Sequence, residues 1–192
     1  MKLLLPTALL FGFSAPAQLL GQGAQHSTGV PKSPSYQLVH VAHSQNVVLT
    51  TAQYTGVLLN DPGHQPRPYG LTARTLSPTE VVEAERILAR CSQQGRVSWY
   101  RYKVKYVKDS YLQSAPDAIH PLPFYKRQYK GLNTGDGQRV VWINAFPKAD
   151  SFPYDWKVME VEVQDGGKAY FNIYVNLDTK QCFNFLRNSI GG

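Results

Sequence analysis

Polar and apolar residues alternate most regularly near the end of the chain. Met159, Val161 and Val163 interleave with Glu160, Glu162 and Gln164; beyond Asp165, Gly166 and Gly167, the residues Phe171, Ile173, Val175 and Leu177 interleave with Tyr170, Asn172, Tyr174 and Asn176. A period of two broken by a glycine-bearing turn predicts a β-hairpin. A second reversal at Leu177, Asp178, Thr179 and Lys180 leads into 181–186, so 156–186 reads as a three-stranded meander. One of its faces is apolar; the other carries tyrosines, asparagines and carboxylates.

The same alternation recurs upstream. Segments 124–131 and 140–146 flank Asn133, Thr134, Gly135, Asp136 and Gly137, which predicts a second hairpin with Tyr129, Val141, Trp142 or Ile143 in its packing. In 97–107, Tyr100, Tyr102, Val104 and Tyr106 oppose Trp99, Arg101, Lys103 and Lys105, giving a basic stripe beside a tryptophan. Apolar runs in 36–59 predict one or two edge strands. Prolines break 60–70 and 109–123 into connections.

One helix interrupts this pattern. Ser77 is placed as N-cap, Pro78 as first helical residue and Glu80 as the third, a capping box. Val81, Ala84, Ile87, Leu88 and Cys91 then share one face, and Glu83, Glu85, Arg86 and Arg90 point largely away. Gly95 is placed to close it or the loop behind it. The expected fold is α+β: one short capped helix packed on a curved antiparallel sheet of five to seven strands, residues 36–192 forming a single domain.

The N-terminus has a different character. Met1 and Lys2 precede a roughly dozen-residue apolar run that ends near Ala15, Pro16 and Ala17, the pattern of a secretory signal peptide over 1–17. Residues 18–35, rich in Gly, Gln, Ser and Pro, read as a flexible arm. No stretch reaches the roughly 18–20 apolar residues of a membrane span. The expected location is therefore secreted or periplasmic. With an even count of two cysteines in an exported chain, a Cys91–Cys182 disulfide is expected, and neither cysteine has a CxxC partner for redox work. The net charge of +7 favours acidic partners, but export argues against nucleic acid; an anionic surface or glycan fits better.

At the residue level, Tyr125 to Gly131, Val140 to Phe146, and Asp165 to Asn172 are similar to segments of a group of small exported bacterial proteins of unknown function. The resemblance runs over about 76–188 and implies export without supplying catalytic residues. The order of a capped helix followed by an antiparallel sheet resembles the cystatin-like and nuclear-transport-factor-like folds. The chain departs from the cystatins where inhibition is carried: Gln128, Tyr129, Lys130 and Gly131 do not form their Gln-x-Val-x-Gly hairpin.

Candidate chemistry is sparse. His40 and His43 lack a convincing third ligand for zinc; His26, His64 and His120 lie among Gly and Pro residues in loops. No metal or cofactor is expected. There is no Gly-x-Ser-x-Gly, phosphate loop or dinucleotide fingerprint. Two function classes follow. A binding or structural protein would recognise protein, peptide or glycan through Tyr170, Asn172, Tyr174, Glu160 and Glu162, or through the Trp99, Arg101, Lys103 stripe. A small secreted hydrolase would use Glu160, Glu162 or Asp155; the next-but-one strand spacing of Glu160 and Glu162 is compatible with paired carboxylates about 5 Å or about 6.5–9.5 Å apart.

Overall fold

The computed structural model describes residues 35–60, 70–94 and 119–188. The expected signal peptide, most of the arm, Gly95, and the stripe with Trp99, Arg101 and Lys103 lie outside the described residues. Within them the fold is α+β, with one helix, α1 (Pro78–Gln94), packed on a mostly antiparallel sheet. The strands are β1 (Gln37–His40), β2 (Val47–Thr50), β3 (Thr55–Leu58), β4 (Thr72–Arg74), β5 (Tyr125–Asn133), β6 (Arg139–Pro147), β7 (Phe171–Asn176) and β8 (Gln181–Arg187).

Eight described strands exceed the five to seven expected, because 36–59 folds into three short strands and 72–74 adds another. The order is β1-β2-β3-β5-β6-β7-β8, with β4 also paired to β5. β3 lies parallel to β5 through Gly56 to Leu58, while β4 runs antiparallel to the same strand through Thr72 to Arg74. Two short strands thus share one side of β5 end to end, which satisfies backbone groups that either alone would leave open. Gly56 permits this pairing: a Cβ there would meet Cε2 of Tyr129 at 2.3 Å.

α1 begins as the capping box predicts. The Ser77 Oγ accepts the Glu80 N–H at 3.3 Å, and Glu80 Oε2 accepts the Ser77 N–H at 3.0 Å. Val81, Ala84, Ile87, Leu88 and Cys91 are buried against Val141, Ile143, Phe171, Ile173 and Val175. Each large aliphatic side chain so buried contributes about 1.5–3 kcal/mol. The Cys91–Cys182 disulfide is present, with Cα atoms 6.3 Å apart, and joins this helix to β8.

One assignment on α1 changes. Glu85, expected to point outward, is buried at 7 % exposure. It flanks the apolar face closely enough to meet Arg127, which β5 presents to the same layer between Tyr125 and Tyr129. The Arg127 Nε lies 2.8 Å from Glu85 Oε1, an ion-pair contact whose N–H direction misses the oxygen, and the Tyr129 hydroxyl donates to the same oxygen at 2.8 Å. Burial pushes the Glu85 carboxyl up, with Arg127 and the Tyr129 hydrogen bond opposing it.

β8 carries a bulge. Asn172 pairs Leu186 but Tyr174 pairs Phe183, and Asn184 within the extra residue has φ of 48°. This phase shift turns both Cys182 and Phe185 towards the helix layer while Phe183 faces the other way.

Candidate functional site

The first arm of the expected 159–177 hairpin does not form. Phe171 to Asn176 is a strand, but it pairs with β6 and β8, and 156–165 is a strap laid across the face of the sheet opposite α1. The alternation is kept only around Val161, buried at 5 %, and exposed Glu162; Met159 is exposed at 54 % while Glu160 is half-buried. The strap is held by side-chain amides in place of a backbone ladder.

Gln128, fully buried on β5, is the main anchor. Its Nε2 donates to the Trp156 and Met159 carbonyls, both at 2.7 Å, and its Oε1 accepts the Val161 N–H at 2.8 Å and an Asn144 Nδ2 hydrogen at 3.1 Å. Two donors and two acceptor sites are thereby all in use. Asn144 also donates to the Val161 carbonyl at 2.8 Å, Asn46 donates to the Lys157 carbonyl at 3.0 Å, and Asn188 donates to the carbonyls of Val163 and Asp165. At the start of the strap, Phe146 meets Phe152 and Trp156 edge-on.

Between strap and sheet a cavity of about 300 Å³ opens. Trp142 and Asn144 of β6, Asn172 of β7, Glu160, Glu162 and Tyr170 line it. β-pairing accounts for the assembly: Asn144 is directly opposite Asn172, and Trp142 opposite Tyr174. Lys130 from β5 forms an ion pair with Glu160 and lies 5.2 Å from the Trp142 ring centre, so it holds both in place. Tyr170 donates its hydroxyl to Asp150 and abuts Gly166, where a Cβ would sit 2.5 Å from its ring. Gly166 also has φ of 94°, a conformation natural to glycine, so this turn both reverses the chain and makes room for the ring. Burial, with the Asp150 hydrogen bond adding to it, pushes the Tyr170 phenol up to about 12.

Four of the residues singled out in the sequence therefore line one cavity: Glu160, Glu162, Tyr170 and Asn172. The others have different places. Tyr174 is 8 % exposed and stacks on Phe183 at 5.4 Å within a second apolar cluster that includes Leu71, Leu132, Val140 and Trp142, so it packs beneath the face instead of presenting on it. Burial, reinforced by Glu160, pushes its phenol well up, and it stays protonated. Asn176 is buried and organises the next turn, its Oδ1 accepting the Asp178 and Thr179 N–H groups at 2.9 Å. Asp155 is exposed, 3.6 Å from the Lys157 ammonium, and does not line the cavity. His40 and His43 are exposed at the β1 end of the sheet, and His120 packs on Phe124 with ring centres 4.4 Å apart.

Within the cavity, the Asn172 and Glu162 side chains have no hydrogen-bond or ion-pair partner among the described residues, whereas those of Asn144, Glu160, Tyr170 and Asn188 are committed to the scaffold. Such an arrangement offers an amide, an unpaired carboxylate and two aromatic edges to a polar molecule. Trp142, expected only in hairpin packing, and Asn144, Asn188 and the anchor Gln128 were not singled out as site residues from the sequence. The detectable signal was Gln128 and Asn144 at strand-interior positions, where a buried amide requires partners.

No helix among the described residues is long and apolar enough to cross a membrane. No protein-family model matches this chain, and no curated protein or solved structure does so.

Proposed function

We propose that the chain is an exported, non-catalytic binding protein that recognises a glycan in the cavity between the 156–165 strap and strands β6 and β7. The carrying observation is the convergence of Trp142, Tyr170, Asn172, Glu160 and Glu162 on one opening, with the Asn172 amide and Glu162 carboxylate uncommitted within the described residues. Sugar hydroxyls require donors and acceptors side by side, and their C–H faces lie against aromatic rings. The amide and the carboxylate serve the first need; the half-buried Tyr170 ring serves the second, with Trp142 in the cavity wall beside it.

Binding is favoured over hydrolysis by how the carboxylates are used. Glu160 is held by Lys130, and Asp155 stands outside the cavity. Hydrolysis of a glycosidic bond calls for two free carboxyl groups, an acid that protonates the leaving oxygen and a carboxylate that activates water or attacks the sugar carbon. Export is supported by the Cys91–Cys182 bridge, a pairing that persists in oxidising compartments such as the periplasm or the extracellular space.

The test is a glycan array probed with the intact chain and with Asn172→Ala and Glu162→Gln. The expected result is retention of a defined set of saccharides by the intact chain and at least about tenfold weaker retention by each variant, with unchanged circular dichroism. Failure to retain any saccharide, or equal retention by the variants, overturns the proposal.

A further inference from the structure

A second, larger cavity of about 620 Å³ lies on the helix side of the sheet. Its walls come from α1 through Val82, Arg86 and Ala89, from Ala52 and Tyr54 between β2 and β3, and from Leu122 and Pro123 of the short 3-10 helix Leu122–Phe124. Glu85 and Arg127 also line it. The volume lies in the range of small-molecule sites, roughly 300–1,000 Å³, which are apolar with a few convergent polar groups.

The polar groups here are few and specific. Arg127 commits its terminal nitrogens to the Tyr125 carbonyl at 3.0 Å and the Leu122 carbonyl at 2.9 Å, and its charge is matched by Glu85. Glu85 Oε1 is occupied by Tyr129 and Arg127, while its Oε2 has no partner among the described residues. Tyr54, 8 % exposed, lies 5.3 Å from the Arg127 guanidinium by its ring, and its hydroxyl likewise has no partner there. One donor and one acceptor are thus available in apolar surroundings whose ion pair is already neutral.

We propose that this cavity binds a small uncharged amphiphile, an apolar body bearing one hydroxyl or amide group that accepts from the Tyr54 hydroxyl and donates to the Glu85 carboxylate. A charged head group would be stripped of water beside a pair that has no net charge to offer it. A cation is further opposed by exposed Arg86 at the rim, and an anion by the free Glu85 oxygen.

Octan-1-ol, octanoate and octylammonium share one apolar chain and differ only in head group. Titrating each into the intact, isotope-labelled chain, with resonance shifts of the lining residues as readout, is expected to give one octan-1-ol site about tenfold tighter than either ion. Tyr54→Phe should weaken octan-1-ol about fivefold, and Val82→Trp or Ala89→Trp should abolish it, in whichever variant retains the wild-type amide spectrum elsewhere. Absence of an octan-1-ol site, equal or tighter binding of an ion, or binding insensitive to Tyr54→Phe and to both cavity-filling variants overturns the proposal.

Discussion

A single buried amide determines where the candidate site lies. Gln128 makes four hydrogen bonds, three of them to the strap that forms one wall of the cavity. Gln128→Leu is nearly isosteric but leaves the Trp156 and Met159 carbonyls and the Val161 N–H without their partner, so stability should fall by about 3 kcal/mol. Urea unfolding measures that loss, and amide hydrogen exchange should show 156–165 losing protection well before the sheet does. Equal protection in both proteins would mean that the strap is held by something other than Gln128. At this scale the sequence was legible wherever a residue obeyed hydrophobic phase: Phe171, Ile173, Val175 and Leu177 occupy the core as their alternation predicts. Gln128 and Glu85 were not legible, because a polar residue reads as exposed until its partner is known, and their partners lie 16 to 33 positions away for Gln128, from Asn144 to Val161, and 42 or more for Glu85, at Arg127 and Tyr129.

Local signals located α1 and the β5–β6 and β7–β8 hairpins, since capping boxes and tight reversals are written in adjacent residues. They did not separate a strand from the strap. Met159, Val161 and Val163 alternate in sequence as a strand would, but 156–159 forms a turn and only Val161 of the three is buried, because no neighbour completes a ladder here. At the start of α1, burial acts to raise the Glu80 carboxyl but is outweighed by hydrogen bonds from Arg74 and Ser77, which hold it below the usual range. A depressed folded-state value contributes stability that is present above about pH 4.3, the ordinary glutamate value, and is lost as pH falls through the folded one. Urea midpoints measured from about pH 6 down to about pH 3 should therefore drop more steeply for the native chain than for Glu80→Gln. Parallel curves would show that the capping contacts do not distinguish the two protonation states.

Across the whole molecule, the disulfide closes the layer between α1 and β8. It joins residues 91 positions apart, and the chain-entropy relation assigns such a closure about 4.6 kcal/mol. Replacing both Cys91 and Cys182 by alanine should lower the unfolding free energy by an amount of that order, and the denatured, unreduced native chain should show no titratable thiol among these two. The pairing was legible from an even cysteine count together with the inward position of Cys91. The order of the sheet was not, because β3 and β5 become parallel neighbours only after the chain has passed through β4 and α1, a long-range choice that no local pattern records.

The glycan reading makes the cavity beneath the strap the meeting point of these scales, and resonance mapping tests it most directly. The saccharide most strongly retained on the array, titrated into the intact labelled chain, should shift the Trp142 indole N–H, the Asn172 side-chain amide and the Tyr170 ring signals together, with one saturation curve, while Tyr54 across the sheet stays unchanged. Shifts that avoid Trp142, Asn172 and Tyr170, or that gather around Tyr54 instead, would contradict the assignment of this cavity as the recognition site.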